Sequence, residues 1–132
     1  MGRFGPPTEF RFDEKDMGAL TTHVLDTSAG RPAAGVRVEL FRDHRGGEPV
    51  AGSETNADGR CVAPLLQGDA LRSGEYELVF HAGDYFRASG IAVTDPPFLD
   101  RVVIRFGVAD PSRHYHIPLL LSPYGYSTYR GS

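Results

Sequence analysis

From Ala19 onward the chain alternates short apolar-rich runs with turn signals. Residues 19–26 (ALTTHVLD) combine Thr, Val and Leu as a strand does, and the stretch from Thr27 to Pro32 breaks the run. Residues 35–42 (GVRVELFR) alternate with a period of two. Val36, Val38 and Leu40 then share one face and Arg37, Glu39 and Phe41 the other, the pattern of a strand with one buried side. Residues 43–49 carry Gly46-Gly47 and form a loop, and residues 50–56 are a weaker strand closed by the turn Asn56-Ala57-Asp58-Gly59. Residues 61–66 are expected to form a short strand. Residues 75–81 (EYELVFH) alternate again and set Tyr76, Leu78 and Phe80 together. Only residues 82–89 can make two helical turns, with Gly90 as the stop. Asp95-Pro96-Pro97 is a rigid turn, residues 101–108 (RVVIRFGV) and 114–121 (HYHIPLLL) are strands, and residues 124–130 form a last one.

Seven or eight strands and at most one short helix predict an all-β protein, two sheets packed face to face. The 132 residues allow one domain. Residues 1–18 are set apart as an N-terminal extension, because Gly5-Pro6-Pro7 breaks structure and Asp13-Glu14-Lys15-Asp16 is a solvated charge cluster. The ordered domain is expected over 19–132. The 16 glycines and 10 prolines supply its turns, and a hydrophobic fraction of 40% supplies its core. A domain of this size buries roughly two-thirds of its unfolded surface, so self-association is a natural way to bury more.

Charge narrows the function. The net charge of −3 lacks the basic footprint of a nucleic-acid binder. Cys61 is alone, which excludes an intrachain disulfide and a Cys-rich zinc site. No apolar run reaches the ~18–20 residues that span a bilayer, and residues 1–16 show no apolar signal core. The expectation is a soluble, cytoplasmic protein.

Five histidines are the candidates for chemistry: His23, His44, His81, His114 and His116. His44 lies in a charged loop and His81 closes a strand, and both are assigned structural roles. His114 and His116 are two apart and share one face of a strand. Such a pair binds zinc only if further ligands arrive, and that strand carries no carboxylate. Otherwise one of them is functional and the other packs or hydrogen-bonds. Cys61 has no motif around it and there is no Gly-x-Ser-x-Gly elbow. Hydrolytic chemistry would therefore run on an activated water, with a histidine as base and an arginine stabilising charge. The C-terminal stretch from Ser122 to Ser132 has three tyrosines and Arg130 as its one charged side chain, the composition of a docked tail rather than a frayed one.

Two segments carry a family resemblance. Leu20-Thr21-Thr22-His23-Val24-Leu25-Asp26 with Gly30-Arg31-Pro32-Ala33 resembles the first signature of the transthyretin-like proteins. The run from His114-Tyr115-His116 to Tyr129-Arg130-Gly131-Ser132 resembles the second, and the closing tetrapeptide marks the 5-hydroxyisourate hydrolase branch. The turn Thr55-Asn56-Ala57-Asp58-Gly59-Arg60 matches as well, and the loop around residues 45–48 looks slightly longer than usual. The resemblance, over residues 19–132, implies a sandwich of two four-stranded sheets with one short helix. It implies a homotetramer, a dimer of dimers, with the active site in the channel between dimers. It implies opening of 5-hydroxyisourate at its N1–C6 bond to 2-oxo-4-hydroxy-4-carboxy-5-ureidoimidazoline, with no metal or organic cofactor. Carried over residue by residue, it makes His23, Arg60 and His116 catalytic, and assigns substrate contacts to His23, Arg60, Tyr129 and Ser132. One histidine would take a proton from the attacking water, and which one is left open. The alternative on this scaffold is a non-catalytic carrier of small ligands, which needs an apolar channel.

Overall fold

The computed structural model describes residues 18–43 and 46–131. The extension at 1–17, His44, part of the 45–48 loop and Ser132 lie outside the described residues. Among the described residues, nine strands, a 3-10 turn (Gly68–Ala70) and one α-helix follow in chain order: β1 (Ala19–Asp26), β2 (Arg31–Pro32), β3 (Arg37–Arg42), β4 (Ala51–Glu54), β5 (Leu66–Gln67), β6 (Gly74–His81), α1 (Ala82–Ala88), β7 (Arg101–Val108), β8 (His114–Ser122) and β9 (Gly125–Thr128). Two sheets face each other, as expected. One runs β4-β3-β6-β7 and is antiparallel throughout. The other runs β2-β1-β8-β9, with β5 also on β1.

The second sheet corrects the expectation of two four-stranded sheets. Its outer position beside β1 is shared: β5 pairs with Ala19 and Leu20, and β2 pairs with Leu25 and Asp26. The sheet is four strands wide but has five strands. The strand expected over residues 61–66 begins only at its last residue, as β5 (Leu66–Gln67). Pro64 has no N–H to give to a ladder. Val62 is exposed, and pairing starts only where the Leu65 amide donates to the Leu20 carbonyl.

The core lies between the sheets. Leu20 and Val24 of β1, Val38 and Leu40 of β3, Leu78 and Phe80 of β6, and Leu119 and Leu121 of β8 are all at 0% exposure. The alternation in the sequence therefore points the predicted faces inward. The outer face of β3 and β6 departs from it: Phe41, Glu77, Val79 and His81 are buried as well. There His81 Nε2 meets Glu39 Oε1 at 2.8 Å, the structural role expected of it. The helix ends where expected, with Gly90 at a φ of 81°.

One contact ties the two layers together at the end of β1. The Asp26 carboxylate is buried and accepts from the Ser28 amide (3.0 Å), the Ser28 hydroxyl (2.6 Å), the Ala29 amide (3.0 Å) and the Tyr85 hydroxyl of α1 (2.6 Å). Burial works against its charge, but the four donors together hold its pKa below the usual carboxylate value. The same burial, with the bond to Asp26, pushes the Tyr85 phenol up to about 12. Replacing Tyr85 with Phe removes one donor from a buried charge, so Tyr85→Phe should cost about 1–3 kcal/mol and lower the thermal midpoint at fixed protein concentration. Because the Asp26 pKa is depressed on folding, its contribution is present above the ordinary carboxylate pKa. It is lost as pH falls through the lowered value, so the gap between Tyr85→Phe and the unmodified chain should close only in strong acid.

Candidate functional site

The site grows out of the parallel pairing of β1 with β8. The register sets Thr21 opposite His116 and His23 opposite Pro118. Leu20, Thr22, Val24 and Asp26 turn inward, so Thr21, His23 and Leu25 turn outward. Likewise Tyr115, Ile117, Leu119 and Leu121 point to the core, leaving His114, His116, Pro118 and Leu120 on the outer face. The buried Thr22 hydroxyl donates to the Ile117 carbonyl at 2.7 Å and pins the register. One residue earlier, Thr21 Oγ1 lies 2.8 Å from His116 Nδ1.

Arg60 arrives from the 55–60 turn. The Asn56 side-chain oxygen accepts from the amides of Asp58 and Arg60, which closes the turn. Gly59 has a φ of 78°, and a Cβ there would sit 2.3 Å from the Val24 carbonyl oxygen, so only glycine lets the turn press onto β1. The Val24 amide donates to the Gly59 carbonyl at 2.8 Å, and Arg60 bridges to His23. The turn thus fills the stretch of the β1 edge that β5 and β2 leave open. His23 Nε2 is 2.8 Å from the Asp58 carbonyl. A carbonyl only accepts, so this nitrogen carries the hydrogen, and in the neutral ring Nδ1 holds the lone pair.

The C-terminal tail comes from the other side. Beyond β9, the Gly131 amide donates to the His116 carbonyl at 2.7 Å, and Arg130 Nη2 donates to the His114 carbonyl at 2.9 Å. The Arg130 guanidinium lies 4.2 Å from the centroid of the Tyr115 ring. The Thr128 hydroxyl donates to the Pro118 carbonyl. A Cβ on Gly131 would fall 2.8 Å from Cδ2 of His116, so this glycine lies against the imidazole. The result is an open cleft of about 700 Å³ lined by Arg113, His116, Tyr129, Arg130 and Gly131.

His23, Arg60 and His116 are therefore brought together, with Tyr129 on the same cleft wall as His116; Ser132 lies outside the described residues. Burial, then the charge of Arg60, then His23, push the His116 pKa below the ordinary imidazole value. This favours the uncharged ring, which can take a proton, in the field of a guanidinium able to hold negative charge. His114 is exposed on the rim. Among the described residues no three of His, Cys, Asp and Glu gather as a metal would require. Sequence reasoning missed Thr21, the Asp58 carbonyl, Arg113 and the packing role of Gly131. Only Thr21 left a signal: it stands two residues before His23, hence on the same face.

Residues 20–131 match the HIUase/Transthyretin family. A 5-hydroxyisourate hydrolase 2 of Rhizobium meliloti is 58% identical over 118 residues, which span 87% of this chain and 97% of that one. The solved structure of Klebsiella pneumoniae 5-hydroxyisourate hydrolase is 39% identical with a TM-score of 0.73, covering 87% of this chain and 99% of that one. Sea bream transthyretin in complex with thyroxine is 28% identical with a TM-score of 0.75, covering 86% of this chain and 94% of that one.

The electrostatics of the cleft can be read by proton NMR. His116 should titrate with a midpoint below 6.5, and Arg60→Gln should raise that midpoint by removing a positive neighbour. It should not reach the free-imidazole value, because burial remains.

Proposed function

The chain belongs to the HIUase/Transthyretin family, and from that premise we propose that it is a hydrolase that opens 5-hydroxyisourate to 2-oxo-4-hydroxy-4-carboxy-5-ureidoimidazoline. The observation that carries this reading is the meeting on one sheet face of His116, the tail packed on it through Gly131, and Arg60 bridged to His23, whose charge disfavours protonation of His116. The 58% identity to a named 5-hydroxyisourate hydrolase supports it, against 28% to a transthyretin. A cleft walled by Arg113, Arg130, His116 and Tyr129 also argues against an apolar carrier channel. Urate breakdown in the cytoplasm is the setting this reading implies.

In the proposed reaction a water attacks C6 of the substrate and gives a proton to His116. His116 is assigned as the base because its lowered pKa keeps it neutral, whereas His23 already uses Nε2 as a donor to Asp58. Arg60 holds the oxyanion that forms at C6. Collapse of that oxyanion breaks the C6–N1 bond, His116 returns its proton to N1, and C6 becomes a carboxylic acid that gives its remaining proton to solvent. His23, Tyr129 and Ser132 hold the ring in place. Ser132 follows Gly131, whose amide is bonded to the His116 carbonyl, and this adjacency supports its assignment. No metal or organic cofactor enters this scheme.

A homotetramer, a dimer of dimers, completes the reading. Tyr124, Tyr126 and Tyr129 on the tail and Phe98 beside Tyr124 are exposed on the single chain, and aromatic surface of this kind calls for a partner. A second copy laid over the open cleft would close it around the substrate.

The chain, with an untagged C-terminus, should speed the ultraviolet decay of freshly generated 5-hydroxyisourate. His116→Ala and Arg60→Ala should each lose on the order of 10²-fold or more in rate. The rising limb of kcat/KM against pH should have its midpoint below 6.5, because the active form is the neutral one and its pKa is lowered. A chain that leaves the decay unaccelerated but binds thyroxine at submicromolar concentration would establish the carrier instead.

A further inference from the structure

We propose that Thr21 is a positioning residue for the reaction: its hydroxyl accepts the Nδ1 hydrogen of His116 and so keeps the lone pair on Nε2, the nitrogen that takes the proton. The geometry behind this is a ring held on both sides. Thr21 Oγ1 stands 2.8 Å from Nδ1. On the opposite edge Gly131 lies so close to Cδ2 that no Cβ fits. In an imidazole Nδ1 and Cδ2 flank Cγ, so a ring held at both presents its far end, Cε1 and Nε2, away from the strand. His116 lines the cleft, and among the described residues Nε2 has no hydrogen-bond partner.

A neutral imidazole carries one hydrogen, and the bond made by one nitrogen sets what the other can do. With the hydrogen on Nδ1 facing Thr21, Nε2 is an acceptor. With the hydrogen on Nε2 the same ring cannot act as a base at the cleft. The charged ring also carries a hydrogen on Nδ1, so Thr21 accepts from His116 in its neutral and its transiently charged form, and the bond survives proton transfer at Nε2. A carbonyl in the same place would hold the hydrogen on Nδ1 permanently, as the Asp58 carbonyl does for Nε2 of His23. The neighbouring Thr22 is a built-in contrast: its hydroxyl is buried and donates to a backbone carbonyl, a bond that holds the sheet and touches no titratable group.

The test pairs kinetics with nitrogen-15 NMR of the histidine rings. Thr21→Val keeps shape and strand propensity and removes the hydroxyl. It should lower kcat about 10-fold, the scale of one lost orienting hydrogen bond, with KM unchanged. It should also move the Nδ1 shift of His116 toward that of an unprotonated ring nitrogen. Thr21→Ser should restore both. Thr22→Val should lower the melting temperature and leave kcat and the His116 shifts alone. The kinetic arm rests on the hydrolase reading and the spectral arm does not, so a chain inactive on 5-hydroxyisourate would still report the tautomer. Thr21→Val with unchanged kcat in an active chain, equal losses in the Val and Ser variants, or an unmodified chain whose His116 carries its hydrogen on Nε2 would each overturn the assignment.

Discussion

The parallel pairing of β1 with β8 is the constraint on which the rest of this structure depends. It joins residues 95 apart in the chain, and every other ladder among the described strands is antiparallel. Side chains along a strand alternate, so a slip of one residue would turn every side chain to the other face. Such a slip of β1 would bring Leu20 and Val24 into water and His23 into the core, and a slip of β8 would do the same with Leu119, Leu121 and His116. The apolar side therefore forbids it at a cost of roughly 1.5–3 kcal/mol for each large side chain exposed. Hydrophobic burial is non-directional, however, and says nothing about a slip of two. The side-chain contact of Thr21 with His116, which a slip of two would break, supplies that discrimination, and Asp26, fixed to Tyr85 of α1, anchors the end of the strand.

Given that register, the outer edge of β1 becomes a place where short segments can be fitted. A single long strand there would satisfy the backbone but would offer only alternating side chains. Instead β5, the 55–60 turn and β2 each take part of the edge, and the middle part presents Arg60 and the Asp58 carbonyl to His23. The close approach at Gly59 is what this arrangement requires, since any Cβ would strike the Val24 carbonyl. The tail does the corresponding thing on β8, where Gly131 reaches the His116 carbonyl and ring. Charge and packing thus meet at His116 from a strand, a turn and a tail that are distant in the chain.

The strands were legible because each is long enough to show a period. Residues 19–26 and 101–108 have the observed bounds, and the helix stops at its glycine. What could not be read was short. Arg31–Pro32 has two residues and no period, and it looks like a turn. Cys61 to Leu66 has strand-like composition, but the pairing that forms there depends on where the Leu20 carbonyl lies. Phe41 sits on a face expected to be polar and is buried all the same. The candidate site was legible mainly through the resemblance, since spacing alone left His114 and His116 equivalent. The fold separates them: His116 faces Thr21 and the tail, while His114 gives its carbonyl to Arg130 and keeps its ring on the exposed rim. Thr21 was easily passed over despite sharing a face with His23, because threonine in a strand needs no explanation beyond its propensity, and the Asp58 carbonyl was invisible because it belongs to the backbone.

The two histidines of the cleft are not interchangeable, and the difference lies in their partners rather than in their sequence surroundings. His23 faces a carbonyl, which has no hydrogen to give. A change of tautomer at His23 would set two lone pairs against each other at 2.8 Å, so this ring is fixed as a donor on that side. His116 faces a hydroxyl, placed to accept the Nδ1 hydrogen in the neutral and the charged ring alike. Burial and the nearby Arg60 charge disfavour its protonated form, so any proton it takes is held briefly and returned readily. In the proposed reaction the base accepts from water and then gives to a leaving nitrogen, and surroundings that disfavour the charged ring suit that exchange. His116 combines a side-chain partner on Nδ1 with surroundings of that kind.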